Sequence, residues 1–384
     1  MGNNHSKGHN NGEAYNHISS SISDYSKIEH PDRYIPPFAA VWHKIIPEMR
    51  EYPINRTGHF YSYYPAKDCA ITGCGSTSDH ALLNDFWSLN LKNYTWTRLN
   101  ITGTLITPRS GAKSTIVDDT LYIFGGYSDP IYYNDLYAVN LNTLFCTKIE
   151  GTGEIPTPRK TPLFSNFKHK LYIWGGFDGS WPSDLYVFDL VTQIWSKYNQ
   201  SAPGRSGETY ETIGNSIYCY MSAKMGGMYV VNMETNEVKQ VQTSGREPDD
   251  PNLLNSGLVK VDHYLFLIGG KSTNKEEYTL LYACDVYKMK WFLFYLIPDD
   301  DSVNLCDGYI NEEYNFMVPR TASMGIVYST ASRRIVTFLG RPMTEDPPPI
   351  HAFDLGDAYS IIHLEHDMLE MCKPEVPVNN VLRK

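Results

Sequence analysis

The stretch LYIFGGYSDPIYYNDLYAVNL, Leu121 to Leu141, returns fifty residues later as LYIWGGFDGSWPSDLYVFDL, Leu171 to Leu190. Each copy has an apolar run ending in a glycine doublet, a loop of changing content, and a second apolar run led and closed by Asp or Asn. Two apolar runs of five or so residues separated by turn formers read as strands. Repetition at a fixed interval makes them parts of one repeated unit.

The doublet can be followed along the chain as Cys74-Gly75, Gly125-Gly126, Gly175-Gly176, Met221-Ser222, Gly269-Gly270 and Leu339-Gly340. First members are 51, 50, 46, 48 and 70 residues apart, the last gap lengthened by an insertion at about 298–318. About 20 residues after each doublet stands a second column, Trp96, Cys146, Trp195, Val238, Trp291 and Ser360. Just before that column an Asp or Asn closes an apolar run: Asn90, Asn140, Asp189, Asn232, Asp285 and Asp354. A third column, headed by Arg56, Arg109, Arg159, Arg205 and Arg320, precedes the doublets and is missing from the fifth unit. Each unit thus holds four strand candidates. A four-stranded sheet cannot bury both faces alone, and stacking six of them radially does so.

A period near 50 with a glycine doublet and a spaced Trp resembles the kelch repeat. The resemblance covers about residues 34–361 and implies an all-β fold, a six-bladed kelch-type β-propeller. Outside it, residues 1–33, rich in Asn, Ser, His and Gly, read as a disordered N-terminal tail, and 362–384 as a C-terminal tail with a short helix from about His363 to Cys372, stopped by Pro374. One surplus element bears on closure. WHKII at Trp42 reads like the outer-strand starts WTRLN at Trp96 and WSKYN at Trp195, yet no blade precedes it. Kelch propellers commonly close their ring with one terminus, so Trp42 to Ile46 is expected to supply the outer strand of the sixth blade, in preference to SIIHL at Ser360.

Composition limits the function classes. The chain has 384 residues, 42% hydrophobic, with 29 Tyr and a net charge of −10. An acidic balance argues against non-specific nucleic-acid binding, which needs basic stripes to neutralise phosphates. No apolar run approaches the roughly 20 residues of a membrane-spanning helix. The first residues lack the apolar core of a secretory signal. The odd count of seven cysteines, most of them in strand-like runs, reads as reduced buried thiols of a cytoplasmic protein. The opening MGNNHSK fits the N-myristoylation pattern with Gly2 as acceptor and Ser6 at its preferred position. One myristoyl chain gives weak, reversible membrane binding, with an association constant of about 10⁴ M⁻¹.

No phosphate loop, HExxH or GxSxG pattern is present. His363, Glu365, His366 and Asp367 are the densest group of metal-ligand types, and they read better as a solvated helix face than as a metal site. The copper and iron sites of kelch-like enzymes map onto no residue set in this chain. The expectation is a non-enzymatic, monomeric interaction protein without cofactor or metal, binding a partner protein; the alternatives are recognition of substrates for a ubiquitin ligase and, after it, a propeller enzyme with a channel-mouth site. The partner-binding residues expected are the loop aromatics Tyr127, Tyr132, Tyr133, Phe177 and Trp181, with Arg109, Arg159, Arg205 and Arg320 ringing the channel mouth on the same face. Arg in that column also has a structural reading, bonding carbonyls or an Asp within the ring.

Overall fold

Each repeat forms one antiparallel sheet in a computed structural model that describes residues 40–47, 51–248, 250, 252–271, 281–293, 296–298 and 318–355. The predicted tails, the candidate helix near His363 and the insertion at 299–317 lie outside these residues. Six sheets radiate about a central axis as blades I to VI, spanning 60–99, 113–149, 163–198, 210–241, 257–293 and 325–354. Innermost are Phe60–Tyr64, Lys113–Val117, Leu163–Phe167, Tyr210–Ile213, Gly257–Val261 and Gly325–Ser329. The second strand of each blade ends at the doublet and the third ends at the Asp or Asn of the repeat. The fold is an all-β six-bladed propeller.

Ring closure follows the sequence expectation. Ala40–Ile45 pairs antiparallel with Ile350–Asp354 and becomes the outer strand of blade VI. Trp42 is 1% exposed, packed with Phe266 and Ile268 of blade V. The other outer-strand positions are equally buried, Trp96, Cys146, Trp195, Val238 and Trp291 lying at 0–4% exposure. Trp96, Trp195 and Trp291 each pack on the aromatic residue that precedes the doublet of the blade before them. Trp96 meets Phe338 with ring centroids 5.6 Å apart, Trp195 meets Phe124 at 6.1 Å and Trp291 meets Tyr220 at 5.1 Å. The Trp column is therefore blade-to-blade mortar, contributing large apolar area where sheets face each other.

The Asp or Asn column makes the turn into the outer strand. Asn140 Oδ1 accepts the N–H of Asn142 at 3.0 Å and of Thr143 at 2.9 Å, and Asp189 Oδ1 accepts those of Val191 and Thr192, both at 3.0 Å. Asn90, Asn232 and Asp285 do the same. A short carboxylate or amide is the side chain that can cap its own turn two and three residues on. Asp354 ends the third strand of blade VI, whose outer neighbour comes from the N-terminal end, and it receives Arg334 Nη2 at 3.1 Å.

The doublet joins blades through the backbone. The N–H of its second residue donates to the carbonyl at the Arg-column position of the next blade: Gly75 to Arg109 at 2.8 Å, Gly126 to Arg159 at 2.9 Å, Gly176 to Arg205 at 2.7 Å and Gly340 to Arg56 at 3.0 Å. In blade V, Gly270 donates to Thr321 at 2.8 Å. The register differs from the sequence expectation in the sixth unit, where the column position belongs to Thr321 and Arg320 lies one residue earlier, exposed. In the fifth unit the position belongs to Leu253, 3% exposed, beside the Leu254–Lys271 bridge.

Aiming that N–H at the next blade puts the first doublet residue in the left-handed region. Gly175 has φ +65°, and a Cβ there would lie 2.1 Å from the Arg205 carbonyl oxygen. Gly214, in an inner turn, has φ +60° with open space around its missing Cβ. Gly214→Ala is expected to cost only the left-handed backbone penalty, about 1–2 kcal/mol. Gly175→Ala is expected to cost distinctly more, since the methyl meets backbone. Chemical denaturation of the two variants checks the order. Trp42→Ala is expected to cost about 3–5 kcal/mol by the same measurement, as for other buried Trp truncations.

Candidate functional site

Loops between the second and third strands, and the entries to the innermost strands, share one face of the disc. On blade II the loop folds as a small hairpin, Tyr127–Ser128 against Ile131–Tyr132. Tyr127 is tied to Ser110, and Phe177 of blade III to Lys160, by equivalent bridges. Repeat symmetry thus brings the two loops side by side with their rings in sequence. Ring centroids lie 4.6 Å apart for Tyr127 and Tyr132, 6.2 Å for Tyr132 and Phe177, and 4.9 Å for Phe177 and Trp181. The result is a four-ring ladder crossing from blade II to blade III.

Its exposure is graded. Trp181 is 47% exposed and Ile131, at the hairpin tip, 54%. Tyr127, Tyr132 and Phe177 are half-buried. Lys160 completes the cluster from below, its Nζ 5.0 Å from the Tyr127 ring centroid and 5.6 Å from that of Phe177. A cation over two aromatic faces holds both loops by charge–quadrupole attraction. Two carboxylates flank the rings. Tyr127 donates its hydroxyl to Asp129 at 2.7 Å, which pushes the phenol up to about 12. Asp178 is held below the usual carboxylate range: burial acts upward, and hydrogen bonds from Ser180 and Thr157 outweigh it.

Tyr133 has a different role. Its ring lies 3.8 Å from the guanidinium carbon of Arg109, and its backbone bonds Gly126 and Arg159. Arg109 itself is 1% exposed. Its Nη1 donates to Asp135 and to the Gly125 carbonyl at 3.1 Å, its Nε to the Thr107 carbonyl at 3.0 Å. Arg56 repeats the arrangement with Asp85 and the Cys74 carbonyl. Arg159, 0% exposed, bonds the Gly175 carbonyl at 2.9 Å and Thr157. Guanidinium groups so enclosed and engaged offer a partner no surface, so Arg109 and Arg159 hold blade structure rather than ring a mouth. Arg205 is half-buried on the Met225 carbonyl and the Tyr229 hydroxyl, and Arg320 is exposed.

The expected ring aromatics are brought together, then, and the expected Arg are not. Three participants escaped the sequence reading. Asp85 and Asp135 stand ten residues after the second doublet residue in Cys74-Gly75 and nine after that in Gly125-Gly126, a spacing the repeat carried. Lys160 immediately follows a column Arg, where the other units have Thr57, Ser110 and Ser206. Among the described residues no group of three or more His, Cys, Asp or Glu is placed to hold a metal ion. The cluster around His363 lies outside the described residues.

Asp135→Ala would leave the Arg109 charge buried without its carboxylate and is expected to destabilise the propeller by about 3–5 kcal/mol. Trp181→Ala, at a half-exposed ring, is expected to change stability by less than about 1 kcal/mol. Urea unfolding monitored by circular dichroism separates the frame from the surface on this scale.

Residues 38–222 match the family model described as the KLHDC2/KLHL20/DRC7 Kelch-repeats domain. The matched span begins at the closing strand and ends at the doublet of blade IV, and the same repeat continues through blade VI. Residues 38–222 thus match the kelch-repeat family, and the six-bladed propeller of the described residues agrees with that match.

Proposed function

We propose that this propeller is a non-enzymatic interaction module whose partner protein docks on the loop face of blades II and III, over Trp181, Phe177, Tyr132, Tyr127 and Ile131. The observation that carries the reading is the ring ladder itself. Large amphipathic rings set together on a rigid frame lose little conformational freedom on binding and supply the apolar contacts that dominate interface energies. Kelch propellers in general bind protein partners, which agrees. Arg205 and Arg320 have accessible surface and could take part at the margin; Tyr133 acts by fixing Arg109 beneath the loop.

A second element concerns placement. Gly2, within MGNNHSK, carries an N-myristoyl group that brings the propeller reversibly to the cytoplasmic face of a membrane; the motif supports this and a single chain limits its strength.

The docking face is tested by affinity capture from native cells with the wild type, a Tyr132→Ala, Trp181→Ala double variant, and Tyr287→Ala. Tyr287 is 80% exposed in a turn on the opposite face. The expected outcome is a partner held by wild type and Tyr287→Ala and lost by the double variant at unchanged stability. Equal capture by all three removes the loop face from consideration. Intact mass after co-expression with an N-myristoyltransferase should show one added myristoyl group on the wild type and none on Gly2→Ala.

A further inference from the structure

The axis of the ring is hollow. A chamber of about 1030 Å³ lies among the innermost strands and opens on the face opposite the aromatic ladder, beside Pro65, Asp118, Asp119 and Asp262. Towards the loop face the bore narrows to a throat of about 50 Å³ walled by His59, Glu208, Ser256 and Ser323. Tyr61 and Lys113 line both spaces. A small chamber of this kind holds a few waters or the polar head of a ligand whose body occupies the larger one.

Most polar side chains of the wall are spent on one another. Ser62 and Ser114 hydroxyls lie 2.8 Å apart, Ser165 and Thr212 2.6 Å apart, and Asn166 Nδ2 donates to Thr115 Oγ1 at 2.6 Å. These pairs lace neighbouring blades. The throat is different. Lys113 makes no hydrogen bond or ion pair with any described residue, its nearest recorded partner being the Tyr210 ring, 5.8 Å from Nζ. Glu208 likewise makes none, and it lies farther from Lys113 than the 4.0 Å of an ion pair. His59 is 5% exposed and neither ring nitrogen has a hydrogen-bond partner. What surface Lys113 and Glu208 retain faces the bore.

Two opposite charges held apart, each without a counter-charge in contact, are costly unless something bridges them. Burial pushes the Glu208 carboxyl up and the Lys113 ammonium down, and the attraction of the two charges across the throat only partly opposes it. A bridging molecule must present a carboxylate to Lys113 and an ammonium to Glu208. The acidic mouth at Asp118, Asp119 and Asp262 disfavours a simple anion on the way in and tolerates a dipolar molecule.

We propose that the throat at Lys113 and Glu208 is a binding site for a free α-amino acid, whose carboxylate is received by Lys113, whose ammonium is received by Glu208, and whose side chain extends into the wider chamber. His59, Ser256 and Ser323 offer further hydrogen bonds to the head group. The site is separate from the loop face, so the two readings stand or fall independently.

The test is a thermal-shift screen of the full-length protein against the proteinogenic amino acids at up to about 10 mM, followed by calorimetric titration of those that stabilise it. The expected result is binding by one or more free amino acids. The N-acetyl derivative of the same compound, lacking the ammonium, and its α-amide, lacking the carboxylate, should each bind at least tenfold more weakly. Lys113→Met and Glu208→Gln should each weaken the free amino acid at least tenfold. The proposal is overturned if no free amino acid binds, if the blocked derivatives bind as well, or if both variants bind unchanged. Should either variant fail to fold, the comparison of derivatives on the wild type still decides.

Discussion

The propeller depends on one backbone hydrogen bond repeated around the ring. An N–H at the doublet of one blade reaches a carbonyl at the start of the next, at 2.7–3.0 Å wherever it is formed by a glycine doublet or by Gly75 or Gly340. That bond requires a left-handed residue just before it, which is why the position is usually glycine. Where it is Cys74 or Leu339 the backbone still adopts φ +58° and +57°. Non-glycine residues accept that conformation at about 1–2 kcal/mol. The interblade geometry is thus kept where the glycine is not. Around this bond the other columns fall into place: the Arg whose carbonyl receives it, the Asp that neutralises the Arg, and the Trp that fills the space outside.

The parts legible in the sequence are those in which identity and role coincide. Gly takes the doublet position at the least cost, a large ring fills the Trp position in four of the six blades, and Asp or Asn caps the turn. These columns gave the period, the blade number and the closing strand, since Trp42 carries the outer-strand signature with no blade ahead of it. Less legible were positions defined by backbone alone. Thr321 serves through its carbonyl, which any residue could supply, so the neighbouring Arg320 drew the alignment by one. Thr102-Gly103, Thr152-Gly153 and Ser244-Gly245 form a further column, pairing parallel with the outer strands of blades II, III and V. At two residues each they are too short to show as strands. Blade IV has no such strand among the described residues; the Gln200 side-chain amide takes its place, accepting the Val238 N–H at 2.8 Å and donating to the Asn236 carbonyl at 3.0 Å.

The candidate site was legible in its rings and illegible in its charges for the same reason. Exposed aromatics in loops of a rigid frame have few structural duties, so their type alone suggests contact. Arg has several, and only three dimensions separate a guanidinium that faces solvent from one enclosed by Asp135, Gly125 and Tyr133. The throat is a harder case still. Lys113 and Glu208 stand 95 residues apart in sequence and line one throat only because the innermost ends of blades II and IV both face the axis.

The column Arg are enclosed together with their carboxylates, Arg56 with Asp85 and Arg109 with Asp135, so the net charge of −10 is carried mainly by the solvent-facing shell. The ring ladder follows that trend, with Asp129 and Asp178 at its border and its one close cation, Lys160, held between Tyr127 and Phe177. A partner matching this face would carry apolar groups for Trp181 and Ile131, with Lys or Arg at its edge. Charge of that sign steers encounter and rejects acidic competitors, while affinity comes from the desolvated rings. Loop face and bore then divide the work by chemistry: the first suits an apolar patch rimmed with positive charge, the second a small molecule that brings both charges with it.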